Sequence, residues 1–209
     1  MSSGERRLRP RKTPRQVRAE LTRERILTAA AHVFTEHGYA AGTTNRIAER
    51  ARISIGSLYQ YFPNKDAILV ELLTKHLDDG IAATRAHLAA QQPATVEEAV
   101  RGFVRAAIEN HLDDPKLLRV MFEQAPRSQA LLEKIERLER EHVARARELI
   151  ERHPEVRVGD PRTAARLVVS TVELVVHQLI SSADPIDVPR FEDELTTMLT
   201  RYLTGGPLR

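Results

Sequence analysis

Apolar residues recur along this chain at three- and four-residue spacing rather than alternating, the period of helices that bury one face. From Val17 the stripe Leu21, Ile26, Leu27, Ala30, Val33 and Phe34 predicts a first helix ending at His37, with Gly38 as its C-terminal cap. A short second helix is predicted from Thr43 or Thr44 to about Ala51, with Ile47, Ala48 and Ala51 facing inward. Ser54 is placed to cap a third, from Ile55 to about Phe62, which Pro63 stops because it lacks an N–H and disfavours helical geometry before it. Asn64 then caps a long fourth helix to about Ala90, with Ile68, Leu69, Leu72 and Leu73 inside. Further helices are expected at about 95–113, 115–125, 127–152, 161–182 and 189–204, and seven prolines from Pro93 to Pro189 fall at or between their ends. The expectation is an all-α chain in which three short helices feed a larger helical region.

Composition narrows the picture. The 209 residues contain no cysteine, which removes disulfides, thiolate metal sites and cysteine nucleophiles. Unbroken aliphatic runs are short, as in Leu167-Val168-Val169 and Leu174-Val175-Val176, whereas a membrane span needs about 20 apolar residues. The basic N-terminus is not followed by an apolar stretch, so no secretory signal and no membrane partner are expected, and the localisation expected is cytoplasmic.

The net charge of +3 is unevenly distributed. Residues 1–65 carry 13 Lys or Arg against 5 Asp or Glu, a net +8, and the other 144 residues carry 19 against 24, a net −5. Residues 1–16, with seven charges and almost nothing apolar, read as a disordered basic arm. A basic front suits a polyanion, although a basic tail on an unrelated domain gives the same count.

The second and third predicted helices, joined by a short turn, form a helix-turn-helix pattern, whose second helix enters a DNA major groove. With Leu58 and Phe62 turned inward, Gly56, Ser57 and Gln60 point outward and Tyr59 and Tyr61 flank them. Gly56 removes a side chain where a backbone can approach DNA, Ser57 and Gln60 can bond base edges, and the tyrosines suit phosphates. Ile55 at the helix start can reach a thymine methyl. An ordinary three-helix subdomain with a polar outer face is the competing reading.

The run Thr43-Thr44-Asn45-Arg46-Ile47-Ala48-Glu49-Arg50-Ala51, followed by Ile53-Ser54-Ile55-Gly56-Ser57-Leu58-Tyr59-Gln60-Tyr61-Phe62-Pro63-Asn64-Lys65-Asp66, resembles the DNA-binding segment of TetR-family transcriptional regulators. The close likeness covers roughly residues 20–73, and the helical remainder has the right length and helix count but no diagnostic motif. After the disordered arm (1–16), the resemblance implies a helix-turn-helix DNA-binding domain (17–65) and a helical ligand-binding and dimerisation domain (66–209). It implies a homodimeric repressor or, less often, an activator, binding a double-stranded, palindromic operator and released by a small-molecule effector; a constitutive DNA-binding regulator without an effector and an α-helical enzyme are the alternative readings. DNA contacts would fall on Ile55, Gly56, Ser57, Tyr59, Gln60 and Tyr61, with phosphate contacts at Thr44, beside Asn45, and at Lys65. One position departs from the pattern: Arg52 stands in the turn where the family usually has glycine, so the turn is either strained or differently shaped.

The back half is less specific. The helix near 161–182 is apolar around most of its circumference, with Arg166, Ser170, Glu173, His177 and Ser181 in one stripe. By the resemblance it pairs with the helix near 189–204 and their copies in a second protomer. Glu173 and His177, four apart, can form a salt bridge or contact a ligand. Phe103, His111, Met121 and Phe122 are candidate walls of an effector pocket, although such residues at helical spacing also suit a core. No paired-histidine spacing supports a metal, no cofactor is expected, and no nucleophile triad, phosphate loop or dinucleotide fingerprint supports an enzyme.

Overall fold

The computed structural model describes residues 14–91, 93–182 and 184–205. The basic arm over 1–13 therefore lies outside the described residues, and the part at 14–16 that was expected to be disordered is helical. Contacts divide the chain after Leu72, inside the fourth helix rather than at its start.

In the first unit, α1 runs Pro14–Ala41 and buries Ile26, Leu27, Ala30, Val33 and Phe34. Leu21 does not join them and is 61% exposed. At 100° per residue it lies about 180° from Ala30, so the spacing that admitted it to the stripe was misleading. Gly38 interrupts the helix with φ 71 and ψ 170, a backbone that a side chain would strain. A Cβ on Gly42 would lie 2.6 Å from Phe34 Cδ1 and 2.9 Å from the Gly38 carbonyl oxygen, so glycine lets the chain turn tightly over the Phe34 ring.

The next helices are short: α2 spans Thr44–Arg50 and α3 Ile55–Tyr59. Each starts on the predicted cap, with Thr43 Oγ1 accepting from the Arg46 N–H at 3.3 Å and Ser54 Oγ from the Ser57 N–H at 3.1 Å. Helix α3 ends before the expected Phe62. The Tyr61 and Phe62 N–H groups both donate to the Leu58 carbonyl, at 2.9 and 3.0 Å, which tightens the last turn ahead of Pro63. Asn64 Oδ1 accepts from the Ala67 N–H at 2.8 Å and opens α4, Lys65–Gln91. Phe34, Ile26, Ile47, Leu58, Ile68, Leu69 and Val33 are among the fully buried side chains of this unit.

The second unit holds the remainder of α4 and five more helices: α5 Val96–Leu112, α6 Pro115–Gln124, α7 Gln129–Arg152, α8 Pro161–Ile180 and α9 Val188–Thr204. Asp114, Asp160 and Asp187 cap α6, α8 and α9, each with a proline in the first turn, where its missing N–H costs nothing. Thr95 and Glu98 form a reciprocal capping box on α5. Helix α5 packs on α8 and α9, and α7 on α8, around Val100, Val104, Val168, Val172, Leu195 and Leu199.

Helix α8 is long and apolar enough to cross a membrane by length and composition, the one such helix among the described residues. Its apolar residues are interrupted by Arg166, Ser170, Glu173 and His177, so no unbroken run marks it in the sequence. Its Ala164, Val168, Val172 and Val176 side lies in the core, while Leu167 and Leu174 are exposed, at 50% and 68%. Its outward face is thus more apolar than the single polar stripe suggested.

Candidate nucleic-acid interface and effector cavity

The turn between α2 and α3 sets the angle at which α3 is presented. The Ile53 N–H bonds the Ala48 carbonyl and the Arg52 N–H bonds the Glu49 carbonyl, both at 3.0 Å, the paired pattern that closes a helix through a left-handed residue. That residue is Arg52, at φ 55. The geometry usual for glycine is therefore kept and a side chain is forced into it. Arg25 reaches across from α1 and its guanidinium donates to the carbonyls of Ala51 and Arg52.

On this frame Leu58 is the buried anchor, and Ile55, Gly56, Tyr59 and Gln60 are exposed. A Cβ added at Gly56 would meet only Ser54 Oγ, at 3.9 Å, so nothing inside the fold requires glycine there. Tyr59 is 51% exposed and its hydroxyl lies 3.2 Å from Thr44 Oγ1, joining the two predicted contact elements. Ser57 Oγ lies 2.9 Å from Ser54 Oγ, so part of its hydrogen-bonding capacity is already used. Gln60 forms the C-cap of α3 and Tyr61, half-buried, lies just beyond it. Asn45 is exposed on the first turn of α2, beside exposed Arg46.

Lys65 has a task the sequence did not show. Its ammonium donates to the carbonyls of Tyr39 and Ala40, at 2.8 and 3.4 Å, and sits 4.2 Å from the centre of the Tyr39 ring. Two of its three donors thus hold the end of α1.

The six candidate effector residues do not converge. Phe103 lines a largely apolar cavity of about 110 Å³ with Val96 and Val100 of α5, His142, Arg145 and Leu149 of α7, Val168 and Val169 of α8, and Leu203 of α9. Glu173 pairs with His142, Nδ1 to Oε1 at 2.8 Å, and not with His177 as spacing had allowed. His177 is instead packed against Phe122 and His111, which leaves Glu173 to the histidine on the neighbouring helix α7. Met121 is buried and does not line the cavity.

His111, Phe122 and His177 instead form a second cluster with His76 of α4. Ring centroids are 5.1 Å apart for His76–His111, 5.8 Å for His111–His177 and 4.0 Å for Phe122–His177. Burial pushes all three imidazoles toward the neutral form, and His111 falls to about 4, with His76 the next cause. The His111 Nδ1–H donates to the Ala107 carbonyl at 2.8 Å. Among the described residues no group of His, Asp and Glu side chains is arranged to hold a metal ion. His76 and His142 carry no signal in the sequence because the partners that define their surroundings come from other helices.

Residues 26–72 match the family described as bacterial regulatory proteins, tetR family, and residues 95–203 match the tetracyclin repressor-like C-terminal domain. The chain belongs to the TetR family. An HTH-type transcriptional repressor of Streptomyces coelicolor is 31% identical over 103 residues, 49% of each chain. The HTH-type transcriptional activator FasR of Mycolicibacterium smegmatis is 33% identical over 105 residues, 48% of this chain and 45% of that one. The chain thus spans about half the length of the curated relatives it matches. Among solved structures, the TetR-family regulator PfmR of Thermus thermophilus is 26% identical with TM-score 0.67, covering 90% of this chain and 97% of that one. The regulator FadR of Bacillus subtilis in complex with stearoyl-CoA has TM-score 0.67 at 22% identity, covering 85% and 97%, a likeness of fold.

Proposed function

We propose that this TetR-family chain is a sequence-specific DNA-binding transcriptional regulator, a homodimeric repressor released from a palindromic operator by a small molecule. The observation that carries the reading is Gly56. The fold has open space for a side chain there, so the glycine is best explained by something that approaches α3 from outside. In this reading Ile55, Gly56, Ser57 and Gln60 face base edges, and Thr44, Asn45, Tyr59, Tyr61 and the remaining donor of Lys65 meet phosphates. Exposed Leu167, Leu174 and Met198 on α8 and α9 support an isologous dimer through those helices. The cavity beside Phe103 supports an effector that shifts the population between DNA-competent and incompetent states. A relative named as an activator keeps an activating role as the second reading.

The test uses the full chain and duplexes tiled across the region upstream of its own gene. One duplex should bind at least about a hundredfold tighter than its scrambled counterpart, in keeping with specific recognition. Equal affinity for all duplexes would overturn the reading. A reporter driven from the bound site separates repression from activation by the sign of its response.

A further inference from the structure

The cavity of the C-terminal unit carries a statement about what enters it, and that statement rests on the effector reading above. Its walls are aliphatic and aromatic, and few polar side chains reach it. Thr84 Oγ1 is satisfied by the Gly80 carbonyl at 2.9 Å, and His153 Nδ1 accepts from the Glu155 N–H at 3.3 Å. Two polar groups remain, His142 and Arg145, three residues apart on α7 and therefore neighbours on one face.

His142 donates from Nδ1 to the Glu173 carboxylate, which can only accept. Its Nε2 is buried and has no partner. Arg145 is half-buried and makes no hydrogen bond or ion pair among the described residues. Other arginines of the unit, such as Arg119 and Arg166, are likewise unpaired but exposed to solvent, whereas Arg145 is half-buried and lines the cavity. A cation left unpaired beside an apolar cavity calls for an anion, and the Nε2 atom calls for a group that can share one proton.

We infer that the cavity takes a small monocarboxylic acid whose apolar body is about the size of a phenyl ring, its carboxyl group held by Arg145 and His142. The size rests on the volume: an engineered apolar cavity of about 150 Å³ takes benzene, so the cavity of about 110 Å³ here takes most of a phenyl ring and the open mouth accommodates the rest. A carboxyl group answers both polar residues. Its oxygens accept from the guanidinium, and a proton taken up from solvent on binding bridges one of them to Nε2. An alcohol of the same size satisfies Nε2 but leaves the arginine without a counter-charge, and an amine adds a second cation.

The experiment is isothermal titration of the full chain, without DNA, with phenylacetate, 2-phenylethanol and 2-phenylethylamine. Phenylacetate should bind one per chain, roughly tenfold or more tighter than the alcohol, the scale of a charge-assisted hydrogen bond. Arg145→Gln should remove that preference and leave the alcohol's affinity within about twofold, while Arg145→Lys should keep part of it. Equal binding of acid and alcohol, tighter binding of the amine, an unchanged preference in Arg145→Gln, or no binding of any of the three would overturn the inference. The wild-type comparison stands without any variant. Acid that binds here yet leaves the operator complex intact would retain the site and count only against ligand release.

Discussion

Arg52→Gly separates the backbone of the recognition turn from the chemistry of its side chain. Arg52 is exposed and sits at φ 55, where a Cβ costs roughly 1–2 kcal/mol. Glycine removes that cost but frees the unfolded chain, which costs about 0.4–1 kcal/mol in return. The hydrogen bonds that build the turn use the backbone of residues 48–53 and the Arg25 guanidinium, so the substitution keeps them. The net expectation is stabilisation by about 0.5–1 kcal/mol, or a rise in Tm of about 1–4 °C for a chain of this length. Arg52→Ala is the control: it removes the charge and keeps the Cβ, so it should be near neutral. Urea denaturation followed by circular dichroism measures both, and competition between operator and scrambled duplex measures selectivity. If alanine stabilises as much as glycine, the effect is electrostatic and the backbone argument fails. If glycine abolishes the preference for operator, Arg52 reads DNA and its assignment to the turn is wrong.

Other outcomes follow from the same geometry. Gly56→Ala should leave stability unchanged or raise it by up to about 1 kcal/mol, yet weaken operator binding at least tenfold in a gel-shift titration. Gly42→Ala should cost about 1–3 kcal/mol in urea denaturation, because its Cβ lands 2.6 Å from the Phe34 ring. Leu174→Arg should turn a dimer into a monomer in light scattering, whereas an unchanged mass would remove α8 from the proposed interface. The imidazoles of His76, His111 and His177 are held neutral, so the unfolded chain binds protons more readily and stability falls as pH drops below about 6.5. For His111, whose folded value is about 4, the loss between pH 7.5 and 5 is on the order of 2 kcal/mol, and His111→Phe should flatten that slope.

The DNA-binding unit was largely legible because its determinants are local. Thr43, Ser54 and Asn64 each cap within three residues of themselves, and Leu58 is marked as the inward position by a spacing of four to Phe62. Even the strain at Arg52 was visible as a residue out of pattern. The tasks of Lys65 and Arg25 were not, since both reach carbonyls about 26 residues away in sequence. The C-terminal unit was legible as helices and opaque as a site. The pairing of His142 with Glu173 spans 31 residues, and which helix faces which is not written in the period of either one. Phe103 lines the cavity and Met121 does not, a difference that helical spacing alone does not show. His111, Phe122 and His177 belong together, but around one another and not around the cavity.

The helix proposed to read DNA has five residues and one buried anchor, Leu58. A segment that short has no stability of its own, so its conformation is lent by α2, the Ser54 cap and the turn at Arg52. Heritable change in operator preference is therefore channelled into very few positions. Ser54, Ser57 and Leu58 are committed to holding the helix together, and altering them changes how much protein is folded before it changes which sequence is bound. Ile55, Gly56 and Gln60 carry no such obligation. A lineage drifting toward a new operator, or a designer seeking one, has those three positions to vary while the rest of the unit stays as it is.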